Sequence, residues 1–419
     1  MEPWQIQAGW LAFSCTYLAL AIGYVPWFRL DRTGAAFVGA VTMIACGVLT
    51  PEQAFLAQDY ETLVLLFSMM IIVSFLMNSG IIARLQGQLV SHIQQPVAFL
   101  WTVIALSGTM SALFINDIVC LMLTPMVIRC CRALRLQPVP YLLAVAMASN
   151  LGSAMTPVGN PQNIFLASLG KVSYATFVQA LAPVSLMGLL LLGLVLQWAY
   201  GGQLRATETS SFKPAEDGAE PGPPPAALAR YVLLRTLAVL VGILIGFWSG
   251  WHLGTVASAG AAFLMVTRRI SRQRLFALID WDLLVLFVSL FVLTSGARAA
   301  GILPWCYGHL AGLGPEHGLS LSAITLVLSN LFSNVPAVFF LSQFLSQLPR
   351  PQESALLVAM VSTLAGNLTL LGSIANLIVA EKAAPEVRLD FWTYTRVGLP
   401  VTLLTLATGL AYWHWRFGL

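Results

Sequence analysis

Long apolar runs recur along the chain, and their lengths indicate its architecture. Runs near the roughly 20 residues that a helix needs to cross a bilayer lie at about 8–25, 33–49, 60–80, 141–168 and 177–200, and then at about 229–247, 253–267, 282–298, 354–380 and 396–415. The runs are continuous and lack the alternation of outer-membrane barrel strands. The pattern predicts an all-α polytopic membrane protein with ten transmembrane helices.

Two further apolar stretches, at about 97–135 and about 318–347, are interrupted in the middle. Asn116-Asp117 divides the first stretch and Ser333-Asn334 divides the second. Irregular backbone at membrane depth is tolerated only where it is buried in protein or lines a wet cavity. We therefore predict that each stretch is a re-entrant hairpin, so that each half of the chain has five transmembrane helices and one hairpin.

Three short motifs of the first half recur in the second half in the same order. Residues 59–63 resemble 280–284, residues 111–116 resemble 329–334, and the pattern Thr-x-x-Gly-x-x-x-Asn at 156–163 recurs at 369–376, with offsets of 221, 218 and 213 residues. Each copy crosses the membrane an odd number of times, so the second copy must be inverted. We predict an N-terminal repeat over 1–200 and an inverted C-terminal repeat over 229–419.

The distribution of positive charge predicts the orientation. With the N-terminus outside and both hairpins returning to their own side, 17 of the 21 Lys and Arg residues are cytoplasmic, and only Lys171, Arg298, Arg350 and Arg416 are outside. This bias agrees with the positive-inside rule. The sequence thus predicts a multi-pass protein of a bacterial-type inner membrane with both termini periplasmic. The polar, Pro-rich segment 201–228 is predicted to be a flexible cytoplasmic linker.

Composition excludes several other classes of protein. Apolar residues make up 58% of the chain and charged residues 9%, with a mean hydropathy of +0.81, whereas soluble domains are roughly 25% charged. The net charge is +4, and the basic residues lie in short loops where membrane topology accounts for them. The charge therefore gives no reason to expect a nucleic-acid partner. The six Cys and five His residues lack metal-ligand spacing, so no metal site is predicted. Hydrolase motifs such as H-E-x-x-H and G-x-S-x-G are absent, so the chain is not expected to be an enzyme.

Polar residues and helix breakers cluster at four places inside the apolar runs: at 114–125, 149–163, 333–336 and 366–376. Half-helices that meet inside a membrane point their N-terminal amides at anions. Their carbonyl ends and amide side chains can coordinate a cation. Broken helices in matching positions of two repeats therefore predict a substrate site near the midplane of the membrane.

Asp117 is the only acidic residue near the middle of an apolar segment. A carboxylate at this depth is costly and indicates a functional role. Because burial disfavours the charged form, we expect Asp117 to carry a proton or to bind a coupling cation. The alternatives are a structural partner for Arg129 and a cap of the hairpin.

These motifs resemble those of the ion transporter superfamily over nearly the whole chain. The superfamily includes arsenite permeases, NhaD-type sodium/proton antiporters and divalent-anion/sodium symporters. Asn116-Asp117 followed by Leu123-Thr124-Pro125 is most similar to the first hairpin of arsenite permeases, whereas 333–336 and 366–369 are more similar to other anion permeases. The symporters carry Ser-Asn-Thr at each tip, but here Asp117 and Val335 replace the Thr. An ionised Asp117 would repel a dicarboxylate.

The resemblance implies roles for individual residues. The residues implied to bind substrate are Asn116, Asn160, Asn163, Ser333, Asn334, Asn367, Thr369 and Asn376. The residues implied to bind the coupling ion or proton are Asn116, Asp117, Thr156, Gly159, Asn163, Ser333, Asn334 and Gly372. No cofactor is predicted apart from Na⁺ or H⁺ as the coupling ion.

The implied function is secondary active transport of a small anion or metalloid, similar to arsenite or antimonite, by an elevator-type movement. The substrate would be an anionic or neutral oxyacid, and relatives often form dimers, which allows a homodimer in the lipid bilayer. Sodium/proton antiport and sodium symport of di- or tricarboxylates remain alternatives. An ion channel is the alternative from a different class, because broken helices also build selectivity filters.

Overall fold

The computed structural model describes residues 1–25, 30–93, 95–205, 226–266, 270–384 and 386–418. This part of the chain is almost entirely helical, with 20 α-helices and two 3₁₀ turns. Its β-structure is one pair of short antiparallel strands, β1 (Tyr24–Val25) and β2 (Leu30–Asp31). Most of the predicted linker, residues 206–225, lies outside the described residues.

The first half contains ten helices and one 3₁₀ turn: α1 (Pro3–Ile22), α2 (Arg32–Ala45), α3 (Pro51–Leu56), α4 (Tyr60–Asn78), α5 (Ile81–His92), α6 (Pro96–Leu113), α7 (Asn116–Leu134), α8 (Val139–Ser153), the turn Pro157–Gly159, α9 (Pro161–Leu169) and α10 (Tyr174–Arg205). The helix pair α6–α7 occupies the predicted first hairpin, and the break between α8 and α9 lies where the sequence predicts an interruption.

The second half has the same order of elements: α11 (Ala226–Trp248), α12 (Leu253–Val266), α13 (Arg272–Phe276), α14 (Trp281–Ala299), α15 (Ile302–Ala311), α16 (Gly318–Phe332), α17 (Asn334–Leu345), α18 (Pro351–Ala365), the 3₁₀ turn Leu370–Gly372, α19 (Ile374–Ala383) and α20 (Phe391–Phe417). Each element has a counterpart of similar position in the first half. The pair α16–α17 occupies the predicted second hairpin.

Six of the described helices are long and apolar enough to cross a membrane: Pro3–Ile22, Tyr60–Asn78, Pro96–Leu113, Tyr174–Leu204, Arg230–Trp248 and Trp281–Ala299. They identify a polytopic membrane protein. The predicted spans 33–49 and 253–267 form helices of 14 residues each, shorter than a full crossing needs. The short helices α3, α5, α13 and α15, of 6, 12, 5 and 10 residues, were not predicted, because none gives an apolar run of membrane-spanning length.

Two aspartates explain why one sequence motif recurs at matching helix starts. The Asp59 carboxylate accepts hydrogen bonds from the backbone N–H groups of Glu61 and Thr62 at 3.1 and 3.3 Å, and it begins α4. Asp280 accepts from the backbone N–H of Leu283 at 2.9 Å and begins α14. A carboxylate at this position satisfies amides that have no partner inside the helix. The repeated motif is therefore a helix cap.

The halves pack against each other in matching pairs. Helix α2 contacts α14 while α4 contacts α12, and α7 contacts α19 while α17 contacts α9. The long helices α10 and α20 contact one another. These pairs place both hairpins and both helix breaks in one buried region.

Candidate functional site

The polar residues at the hairpin tips and helix breaks are withdrawn from solvent. Every residue predicted to bind substrate or a coupling ion is buried except Thr369, which is half-buried. Asp117, the one ionisable group among them, is 7% exposed. Buried polar groups are costly unless they are hydrogen-bonded, so their partners define the site.

Asn150 lies at the centre of this region, near the C-terminal end of α8, and connects both halves of the chain. Its Oδ1 accepts hydrogen bonds from Asn116 Nδ2 at 2.9 Å and from Ser373 Oγ at 3.1 Å. Its Nδ2 donates to Asn367 Oδ1 at 2.9 Å and to Asn376 Oδ1 at 3.0 Å. An amide can donate two hydrogen bonds and accept two. All four positions are filled, and we call these five residues the amide hub.

The amide hub joins three elements that are distant in sequence. Asn116 begins α7 at the tip of the first hairpin, and Asn150 belongs to α8. The other three members lie at the break between α18 and α19 or in the first turn of α19. Asn367 also donates to the backbone oxygen of Met147 at 3.3 Å, which holds the second break against α8. The tip of the first hairpin is thus tied, through one side chain, to the broken helix of the other half.

The two helix breaks carry the same internal brace. Asn163 Nδ2 donates to the carbonyl oxygens of Ser153 at 3.1 Å and Thr156 at 3.4 Å. In the second half, Asn376 Nδ2 donates to the carbonyl oxygens of Gly366 at 2.7 Å and Thr369 at 3.1 Å. Each donor is ten and seven residues beyond its two acceptors. The repeated Thr-x-x-Gly-x-x-x-Asn pattern therefore encodes a braced turn.

The glycine of each pattern allows close backbone approach. A Cβ atom at Gly159 would lie 2.5 Å from Ser111 O and 2.6 Å from Ser153 O. A Cβ atom at Gly372 would lie 2.9 Å from Gly366 O and 3.2 Å from Asn330 Oδ1. Cβ atoms essentially never lie within 3.0 Å of another heavy atom, so a side chain at either position would force a neighbouring atom to shift. Both breaks thus gather oxygen atoms closely around a glycine.

Several oxygens around the first break have no hydrogen-bond donor among the described residues. They are the Oγ atom of Ser111 and the Oδ1 atoms of Asn116 and Asn163. In the second half, the Ser329 hydroxyl and Asn330 Oδ1 also lack partners. Oxygens without donors are suited to binding a cation. The first break has three such side-chain oxygens and the second has two.

The hairpin tips differ in their chemistry. Asp117 lies in the first turn of α7, where the helix dipole favours a negative charge. At the second tip, the amide nitrogen of Asn334, oriented toward two carbonyls, donates to Gly372 O at 3.2 Å and Ser362 O at 3.0 Å. Val335 follows Asn334, so the second tip has no acid. Ser333 has a φ of 73°, a left-handed conformation that is rare outside glycine.

One alternative role for Asp117 is excluded by the helix that carries it. Asp117 and Arg129 are both in α7, and 12 residues of helix correspond to a rise of about 18 Å. The two side chains cannot span that distance, so Arg129 is not the partner of Asp117. Arg129 instead contacts α5, where its Nε donates to Gln86 Oε1 at 3.0 Å.

Only some of the predicted site residues belong to the amide hub. Asn116, Asn367 and Asn376 are hydrogen-bonded to Asn150, whereas Asn160 donates to Ser153 Oγ at 3.2 Å within the first break. Thr156 Oγ1 donates to the carbonyl oxygen of Ala112 at 2.6 Å, which ties the first break to the hairpin.

Asn150 and Ser373 are site residues that were not predicted from the sequence. Asn150 lies within the motif at 149–163 but has Thr363 at the equivalent position of the second half. Asn150 is therefore absent from the set of polar residues that the two halves share. The feature that could have indicated Asn150 is its amide side chain within an apolar run. Among the described residues, no group of His, Cys, Asp and Glu could hold a metal ion.

A multi-helix membrane protein with broken helices around a buried polar site has the construction of a transporter. Comparison with known proteins agrees, because the profile of the family described as citrate transporter (CitMHS) matches residues 18–352. The chain belongs to this family. The membership confirms the resemblance to the ion transporter superfamily that the hairpin motifs predicted.

Curated relatives cover almost the full length of the chain. The chain is 30% identical to the silicon efflux transporter LSI3 of Oryza sativa subsp. japonica, over 97% of each chain. It is 26% identical to the putative transporter arsB of Dictyostelium discoideum, over 96% of this chain and 90% of that one. It is also 26% identical to the inner membrane protein YbiR of Escherichia coli, over 92% and 97% respectively.

Proposed function

We propose that this chain is a secondary active transporter of a small uncharged oxyacid, with the amide hub as its substrate site and the first helix break as its coupling site. The observation that carries the proposal is the position of Asn150, which joins a hairpin tip to the broken helix of the other half. A ligand bound there would contact both halves of the chain at once.

The proposed topology is two inverted repeats, each with five transmembrane segments and a re-entrant hairpin. The recurring order of elements supports this arrangement, as do the matching braces of Asn163 and Asn376. The short helices α2 and α12 count as membrane segments in this topology, and the broken pairs α8–α9 and α18–α19 count as one segment each. Both termini are then periplasmic, and the linker is cytoplasmic.

The composition of the site supports an uncharged oxyacid over a polyanion. The partners of Asn150 offer amide donors and acceptors, among them the unpaired Oδ1 atom of Asn116, and none of the predicted site residues is Lys or Arg. A hydroxylated neutral acid can donate and accept hydrogen bonds at such a site. A citrate trianion would lack a fixed positive charge there and would face Asp117. The names of two relatives, a silicon efflux transporter and a putative arsB transporter, suggest silicic and arsenous acids as test compounds.

Coupling is proposed at the first break. The donor-free oxygens of Ser111, Asn116 and Asn163 would hold Na⁺, or Asp117 would carry H⁺ on the same hairpin tip. The second break is a weaker candidate, because its Gly372 carbonyl already accepts from Asn334. The proposed coupling site is therefore placed at the first break only.

Proteoliposomes test the proposal directly. Purified protein would be reconstituted with a pH-sensitive dye inside, and flux of arsenous acid, silicic acid and citrate would be measured under imposed proton or sodium gradients. We expect saturable, gradient-driven flux of a neutral oxyacid and no flux of citrate. Sodium-driven proton movement without any oxyacid would instead establish sodium/proton antiport, and large unitary currents would establish a channel.

A further inference from the structure

A second cavity lies away from the amide hub, at the end of the molecule where the second hairpin opens. Its volume is about 460 Å³, and its walls come from the start of α16, the start of α18 and the end of α20. Helix α18 has 15 residues, so about 22 Å of helix separates this cavity from the second break. It is therefore a separate site.

Two helices begin at this cavity. Helix α16 starts at Gly318 after His317, and α18 starts at Pro351 after Arg350. Among the residues that the structure describes, no N-cap side chain caps either helix. The first-turn amides of a helix have no partner inside it, and together with the dipole they attract anions. Two uncapped N-termini on one cavity make it favourable for an anion.

An independent observation points to a ligand here. Trp413 of α20 lines the cavity and is 1% exposed. Its indole Nε1 is buried and has no hydrogen-bond partner among the described residues. The indole N–H can only donate, and leaving a buried donor unpaired is costly. An acceptor bound in the cavity would satisfy it.

The charged groups around the cavity are arranged in pairs. Arg350 uses Nη1 for both Glu353 Oε2 at 3.2 Å and the carbonyl oxygen of Phe417 at 2.8 Å. Glu316 Oε1 lies 3.9 Å from His317 Nε2. Arg350 thus pairs with Glu353, and the His317 imidazole is the neighbour of Glu316; the helix amides and the indole N–H remain as donors.

We propose that this cavity is a second binding site, which takes an oxyanion of the phosphate type through the N-termini of α16 and α18, Arg350 and the Trp413 indole. The cavity volume accommodates inorganic phosphate as well as a phospholipid headgroup. The shared chemistry is a phosphate group with several acceptor oxygens. The site does not depend on the proposed transport function.

Calorimetric titration of the full-length protein in detergent tests the proposal with three probes: inorganic phosphate, dioctanoyl phosphatidylglycerol and dioctanoyl phosphatidylcholine. We expect phosphate, phosphatidylglycerol or both to bind, and phosphatidylcholine to bind more weakly. Phosphate binding indicates a free oxyanion, and binding of phosphatidylglycerol alone indicates an anionic lipid headgroup. Absence of binding by both anionic probes would overturn the proposal.

Two variants and one control separate this site from other binding surfaces. Trp413→Phe keeps the ring but removes the N–H, and it should weaken binding about tenfold, as loss of a hydrogen bond to a charged group does. Trp415→Phe, at a position that is 81% exposed on the same helix, should leave binding unchanged. Arg350→Gln gives a second measure if Trp413→Phe does not fold. Wild-type affinity in both site variants, or equal losses in Trp413→Phe and Trp415→Phe, would contradict the assignment.

Discussion

The two helix breaks share one frame but differ in chemistry. In both, an asparagine braces two carbonyls of the preceding turn, and a glycine admits the backbone oxygens around it. The first break lies beside a hairpin tip with Asp117, and the second lies beside a tip with Val335. The asparagine brace and its glycine are therefore present at both breaks, whereas a carboxyl group is present at the first hairpin tip only. The two breaks thus have a common frame, and under the proposed function the coupling group lies on one side only.

The strongest test of this asymmetry is Asp117→Asn. We expect gradient-driven flux to fall about 100-fold or more and its pH dependence to disappear, because the amide cannot exchange a proton or carry charge. Proteoliposome flux between pH 5.5 and 8 measures both effects, with these pH limits chosen to span roughly the range in which a buried carboxyl titrates. Asp282→Asn, at an exposed acid in the first turn of α14, is the matched control. Equal flux in Asp117→Asn and the native protein would remove Asp117 from the mechanism.

Asn150→Ala tests whether the amide hub joins the halves. The variant leaves four buried partners without their hydrogen bonds, so we expect a loss of stability of about 3 kcal/mol or more together with loss of substrate flux. Asn160→Ala, which removes one bond to Ser153, should cost about 1 kcal/mol. Thermal unfolding in detergent compares the two variants. Similar losses in both would show that the hub has no special role.

Gly159 and Gly372 allow a comparison of how tightly the backbone packs at the two helix breaks. A methyl group at Gly159 meets two backbone oxygens at 2.5 and 2.6 Å, whereas one at Gly372 meets its nearest oxygen at 2.9 Å. Gly159→Ala should therefore destabilise the protein by about 2–3 kcal/mol and Gly372→Ala by about 1 kcal/mol, within the usual cost of overpacking. The order of the two unfolding temperatures is the measurement. A reversed order would show that the second break is the tighter one.

The smallest expected effect concerns the hairpin tips. Ser333 has a positive φ, whereas Ile115 at the first tip has a φ of −58°. Ser333→Gly should be neutral or stabilising by up to about 1 kcal/mol, because glycine adopts this conformation without strain. Ile115→Gly should destabilise, because it removes a buried side chain and adds chain entropy to the unfolded state. Destabilisation by Ser333→Gly would indicate that the serine hydroxyl is needed at the tip.

Much of the architecture followed from the sequence, because apolar length and helix breakers act locally. The interruptions at Asn116 and Asn334 and the helix breaks at 149–163 and 366–376 could be predicted from repeated motifs, whereas the bracing role of Asn163 and Asn376 could not. The role of Asn150 could not be predicted, because three of its four partners are more than 200 residues away in sequence. In addition, the equivalent position of the second half holds Thr363. The short helices α5 and α15 also escaped prediction, because 12 and 10 residues are too few to give an apolar run of membrane-spanning length. Contacts between repeats depend on packing that a single sequence does not display.

The amide hub also has an evolutionary consequence. Asn150 of the first repeat bonds to Asn367 and Asn376 of the second. The positions that correspond to Asn150 and Asn367 in the other repeat hold Thr363 and Ala154. Two copies of either repeat could not rebuild the hub, because each copy lacks one side of it. If the ancestor was a pair of identical halves, these substitutions have made the fusion irreversible, and each half now requires the other.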